Sequence, residues 1–175
     1  MKRMAILAAF MALAVACSDD SSPTGPSNTG PIVFTAVLSA ASEVPPVTNS
    51  ESGGRGSVTI TFNVERDGSG AVTGGGTANF AAQLSGFPSG SVARAAHIHP
   101  GSSGDNGSPL VDTGLTAAAP IALNSDGTGS LTFTGRPVSA TQAQQIVANP
   151  AGFYFNVHTP INPGGAVRGQ LTRTQ

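Results

Sequence analysis

Three histidines are the whole supply of imidazole in this chain, and two of them, His97 and His99, stand two residues apart in Ala95-Ala96-His97-Ile98-His99-Pro100-Gly101. In an extended strand residues i and i+2 share a face about 6.6–6.8 Å apart along the backbone, so both rings look the same way. The third, His158, follows in a second strand-like run, Phe153-Tyr154-Phe155-Asn156-Val157-His158-Thr159, that ends at a Gly/Pro-rich turn. Brought together, His97, His99 and His158 form a site suited to zinc or copper, with water or Asp105 as a fourth ligand. The competing reading is structural, because histidines at strand ends also cap backbone groups and hydrogen-bond to loops. No Gly-x-Ser-x-Gly elbow or phosphate-cradling loop occurs, so hydrolase and kinase chemistry has no support. A non-enzymatic binding module is the expectation, and a metal-binding or redox protein the alternative.

The elements that must position these residues read as strands and turns. Ile32 to Ser39 places Phe34, Ala36 and Leu38 on one face, and Ser57 to Arg66 alternates Val58, Ile60, Phe62 and Val64 with polar residues. Asp67-Gly68-Ser69-Gly70 is a hairpin turn, and three glycines at 74–76 mark a bulge before the run Thr77 to Leu84. Val92 to His99, Leu110 to Asp112, Ile121 to Leu123 and Ser130 to Thr134 read as further strands, the last two joined at Asn124-Ser125-Asp126-Gly127 as a hairpin. Ser139-Ala140-Thr141-Gln142 opens a capping box, and Asn149-Pro150 stops the single helix it starts at 140–148. Phe153 to Thr159 and Ala166 to Leu171 close the chain as a hairpin. Matching like faces puts His158 opposite Arg168, Asn156 opposite Gln170 and Phe155 opposite Leu171. The prediction is an all-β fold, an antiparallel β-sandwich or flattened barrel with one short helix.

Composition agrees with that class and bounds the partners. Charged residues are only 10% of the 175, there are 23 glycines, and the 39% hydrophobic content suffices for one domain. Lys2 and Arg3 precede an apolar run from Met4 to Ala16 and the sole cysteine, Cys17, which is the pattern of an export signal at 1–17. Without it six basic residues, all arginine, face nine acidic ones, a net charge of −3. With no basic cluster, nucleic acid is not a partner. Residues 18–31 hold three prolines and no apolar side chain to bury, as a disordered tether does, and the β domain is expected over 32–175.

Leu13-Ala14-Val15-Ala16-Cys17 resembles the lipobox of bacterial lipoproteins, in which the cysteine carries the lipid. That resemblance implies an extracytoplasmic protein held to a membrane through Cys17; an ordinary secretory signal implies a secreted one. Four spaced motifs, Ser42-Glu43-Val44-Pro45-Pro46-Val47, Ala96-His97-Ile98-His99-Pro100-Gly101, Asn156-Val157-His158-Thr159 and Asn162-Pro163-Gly164-Gly165-Ala166-Val167-Arg168-Gly169-Gln170-Leu171, resemble the CHRD domain family from Val33 to Thr172. The resemblance implies a β-rich extracellular module whose ligand is an unknown protein or small molecule. Ala96-His97-Ile98-His99 followed by Gly104-Asp105-Asn106-Gly107 is also similar to the copper-binding strand and loop of copper/zinc superoxide dismutases, where His97 and His99 would match copper ligands. A full two-metal dismutase is excluded by counting histidines. Glu43, Asn156, Arg168 and Gln170 are expected to form a structural polar network, with Arg168 turned inward to pair with Glu43.

Overall fold

A computed structural model describes residues 30–175. The export signal at 1–17, its Cys17 and residues 18–29 of the expected tether lie outside the described residues. From Ile32 onward the regular structure is almost entirely antiparallel sheet, joined by loops and one short α-helix. Its strands are β1 (Ile32–Ser39), β2 (Arg55–Arg66), β3 (Val72–Ser85), β4 (Val92–Ala93), β5 (Ala95–Pro100), β6 (Val111–Asp112), β7 (Ile121–Ala122), β8 (Gly129–Val138), β9 (Phe153–His158), β10 (Val167–Gln170) and β11 (Thr172–Arg173). The main sheet runs β6-β5-β9-β10-β1-β2-β3-β8, with β11 also paired to β1. Its two ends, β6 and β8, approach each other, so the sheet is nearly closed into a flattened barrel.

The alternation read from sequence explains which side is inside. Ile32, Phe34, Ala36 and Leu38 of β1, Val58, Ile60 and Phe62 of β2, and Ala78, Phe80, Ala82 and Leu84 of β3 are buried in one core, where Phe34 and Phe62 meet edge to face at 5.2 Å. The three glycines after Thr73 lie at an irregularity: Val64 pairs with Gly76 but Arg66 with Val72, and a Cβ at Gly74 would meet the Glu65 carboxylate. Helix α1 (Ala140–Ala148) starts on the reciprocal Ser139–Gln142 capping box and buries Ala143 and Ile146. Among the described residues no helix is long and apolar enough to cross a membrane.

Three details differ from expectation, each for a local reason. Val92 to His99 is not one strand; it breaks at Arg94, whose backbone N–H donates to the His158 carbonyl. Ile121–Ala122 does not form a hairpin with the following strand but pairs with β4 in a separate two-stranded sheet. The turn at Asn124 does close, Asn124 N–H donating to Thr128 at 2.7 Å. β8, however, is taken by β3, where Phe80 meets Phe133 and Ala82 meets Leu131, because the apolar face of β3 needs a long partner. Finally, β9 and β10 keep the expected faces but slide by two residues, pairing Asn156 with Arg168, Val157 with Val167 and Tyr154 with Gln170. Pro160 has no N–H to extend the ladder, and Thr159 and Gly165 both donate to the Asn162 carbonyl, so the connection closes into a longer loop.

Candidate functional site

Antiparallel pairing of β5 with β9 sets Ala95 opposite His158, His97 opposite Asn156 and His99 opposite Tyr154. Opposite residues share a face, so all three histidines stand on the side of the sheet away from the barrel core. All six residues of β9 are buried, because Phe153, Phe155 and Val157 fill the core while Tyr154, Asn156 and His158 lie under the loops. The ring centroids of the histidines are 5.2–5.7 Å apart. One ring nitrogen from each lies within 4.8 Å of the others.

Hydrogen bonds fix which nitrogen each ring offers. His99 Nδ1 lies 2.9 Å from the Gly107 carbonyl and His158 Nδ1 lies 3.1 Å from that of Pro163, so both Nδ1 atoms carry the proton. The Nε2 lone pairs therefore face inward. That of His99 is buried without a partner, and that of His158 lies 3.3 Å from His97 Nδ1. The other nitrogen of His97, Nε2, is 3.6 Å from the carboxylate of Asp112, which lies opposite it on β6. His97 has two tautomers here: with the proton on Nδ1 it donates to His158 Nε2, and with the proton on Nε2, toward Asp112, all three rings turn a lone pair to the shared space, the form a bound cation would favour. Carbonyl and carboxylate partners on the far nitrogens are also what orients metal-ligating imidazoles.

Burial is the leading cause that lowers the pKa of all three rings from the ordinary 6.5, taking His158 to about 4. The Asp112 carboxylate and the Gly107 and Pro163 carbonyls oppose that lowering without cancelling it. All three are neutral at pH 7, the form that donates to a metal.

Beside them Tyr154 stacks on His99 at 5.0 Å with planes 5° apart, and the Arg168 guanidinium covers the other face of the phenol at 3.6 Å. Arg168 donates to the carbonyls of Ser102 and Asp105, to Asn106 Oδ1 and to Gln170 Oε1, at 2.9–3.2 Å. Gln170 donates to the carbonyls of Gly101, Ala151 and Phe153, and the Tyr154 hydroxyl accepts from Gly107 N–H. Together they clamp the 101–107 loop and so deliver the Gly107 carbonyl to His99. Arg168 forms no ion pair with Glu43; among the described residues the only basic nitrogen within 4.0 Å of a carboxylate is Nε2 of the neutral His97, beside Asp112. Glu43 instead accepts from Asn156 Nδ2 at 3.4 Å, and burial pushes its carboxyl up to about 7 despite the lowering effects of Arg168 and Asn156.

Asp105 is exposed and stands outside the histidine cluster; its contribution is a backbone carbonyl to Arg168. The carboxylate beside the rings is Asp112, which sequence reasoning missed because the register of β6 against β5 is set across the long 101–110 connection. Glu51 was missed as well. It is fully buried and accepts from Thr159 Oγ1 at 2.6 Å and Asn162 Nδ2 at 2.5 Å, pinning the loop that presents the Pro163 carbonyl to His158.

A nearly closed antiparallel barrel whose outer polar face gathers three histidines under two loops defines a β-rich module with a built side-chain site. The CHRD domain family model matches residues 34–171, and the chain belongs to that family. At family level this supports a non-enzymatic binding or surface module. No curated protein matches the chain in sequence.

Proposed function

We propose that this protein is an exported, lipid-anchored CHRD module that binds a transition metal, zinc or copper, through His97, His99 and His158. The observation that carries the reading is the buried His99 Nε2, left without a partner beside two further ring nitrogens within 4.8 Å. An orphaned acceptor in a protein interior costs about 1–3 kcal/mol, and a metal ion removes that cost by accepting its lone pair. Bonds of about 2.0–2.1 Å in tetrahedral geometry bring ligand nitrogens to about 3.3 Å of one another, so the rings need only tilt inward. Calorimetric titration of the untagged protein with zinc and copper(II) is expected to give one site per chain. The His97→Ala/His158→Ala double variant should bind at least about a hundredfold more weakly, each lost ligand removing a coordination bond. Equal affinity in the two proteins sinks the proposal.

Anchoring rests on the apolar run that ends at Cys17, the only cysteine. In a bacterial host the wild-type chain should incorporate labelled fatty acid, and Cys17→Ser should abolish the label and leave unprocessed precursor. Label that survives the substitution refutes the anchor and leaves a secreted module.

A further inference from the structure

The charges around the three rings are not those that a dication selects. The donor set is three neutral imidazoles, with no thiolate or carboxylate among them. The nearest anion, Asp112, touches only the outer nitrogen of His97 and has 64% of its side chain in solvent, where water screens it. Two cations act from the other sides. Arg168 lies across Tyr154 from His99 and disfavours positive charge on that ring, and Arg94 does the same at His158. Arg168 is itself 1% exposed, so its field is poorly screened. Glu43 faces Asn156 rather than the rings, and burial favours its neutral acid form.

The desolvation cost of an ion grows with the square of its charge, and repulsion from the two arginines grows linearly with it. A doubly charged ion held by neutral ligands here meets both terms in full. A singly charged one meets a quarter of the first and half of the second. Three nitrogens also provide the trigonal, low coordination number that a d10 monocation accepts without a further ligand, whereas zinc would add a fourth, which at this cluster has to be water.

Resting on the metal-binding reading above, we infer that the site selects copper in its cuprous state over zinc and over cupric copper. Among the described residues the ligands for copper(I) are imidazoles alone, with no cysteine or methionine.

The test measures three affinities on the same untagged protein: copper(I) under anaerobic competition with a chromogenic cuprous chelator, and zinc and copper(II) by competition with chelators for each. The expected result is a copper(I) dissociation constant at least about a hundredfold below that of zinc, since one extra charge in a buried site separates them. The bound copper couple should also have a reduction potential above that of the aquated ions. Arg94→Glu replaces a partly exposed cation by an anion without touching a ligand, and should narrow the copper(I)-over-zinc preference about tenfold. Zinc bound as tightly as copper(I), or a potential below that of the aquated couple, overturns the inference while leaving a three-histidine metal site standing. Failure of all three ions to bind overturns both.

Discussion

Arg168→Ala should destabilise the domain by roughly 3–5 kcal/mol, the upper end of what a single substitution does. The residue is the largest fully buried side chain among those described, and its guanidinium satisfies two loop carbonyls and two side-chain amide oxygens while lying on the Tyr154 ring. Truncation removes the stacking, takes away the donor shared by those four acceptors and opens a cavity where the buried guanidinium lay. In urea unfolding the midpoint should fall by about 2 M, given slopes of about 1–3 kcal/mol per M for a domain of this size. Arg168→Lys should recover less than half the loss, because an ammonium neither forks across the loop carbonyls nor stacks on the phenol. Arg173→Ala is the control: that arginine is exposed, and its loss should stay within about 0.5 kcal/mol. An Arg168→Ala midpoint within experimental error of wild type would show that the 101–107 loop is held by other means.

Acid should destabilise the metal-free domain through the histidines, and Glu43 should partly mask it. The folded pKa of His158 is about 4 against 6.5 when unfolded, so between those values the unfolded chain binds the extra proton and stability falls as pH falls. Full protonation of this ring alone corresponds to roughly 3 kcal/mol, with His97 and His99 adding in the same direction. Glu43 runs the other way. Its carboxyl is raised from 4.5 to about 7, so the folded state holds the extra proton in that window; its favourable contribution is complete below 4.5 and disappears as pH rises through 7. Urea midpoints at successive pH values should therefore show a shallow acid loss for wild type and a steeper one for Glu43→Gln, whose amide does not titrate. Saturating metal should move the onset of the loss to lower pH, because a bound ion competes with protons for the same lone pairs. A Glu43→Gln profile that is flat from pH 7 to 4.5 would contradict the burial of these rings.

The fold was largely legible because it is written in period-two patterns. Val58, Ile60 and Phe62 alternate so cleanly that β2 could be placed on sequence grounds, and the capping box at Ser139 set the helix start. The two histidine strands were legible as neighbours in function but not in register. Face matching constrains register only to even steps, and the two-residue slide of β9 against β10 was decided by a loop that folds on the Asn162 carbonyl. The Arg168 partner was misread for a related reason. Counting charges favours a pairing with Glu43, but a guanidinium with five donors reached four uncharged oxygens that no charge pattern reveals. Asp112 and Glu51 were hidden by long connections, since their proximity to His97 and Thr159 depends on chain path.

Much of the tuning at the histidine face is carried by backbone atoms. The carbonyls of Gly101, Ser102, Asp105, Gly107 and Pro163 accept from Gln170, Arg168, His99 and His158, and a carbonyl is the same group whatever side chain follows it. The two loops therefore encode geometry in their length and path more than in their letters. Exposed positions such as Ser103 and Gly164 are free to drift in identity, while a one-residue insertion or deletion at either loop displaces an acceptor and unsettles a ring. Gly101, Gly107 and Gly165 are exceptions: a Cβ on Gly107 would collide with the Pro100 carbonyl, and Gly101 and Gly165 both hold a φ of +145°. In evolutionary terms the rim of this site tolerates substitution and resists indels, so its outward chemistry can diversify while the histidine trio behind it stays tuned.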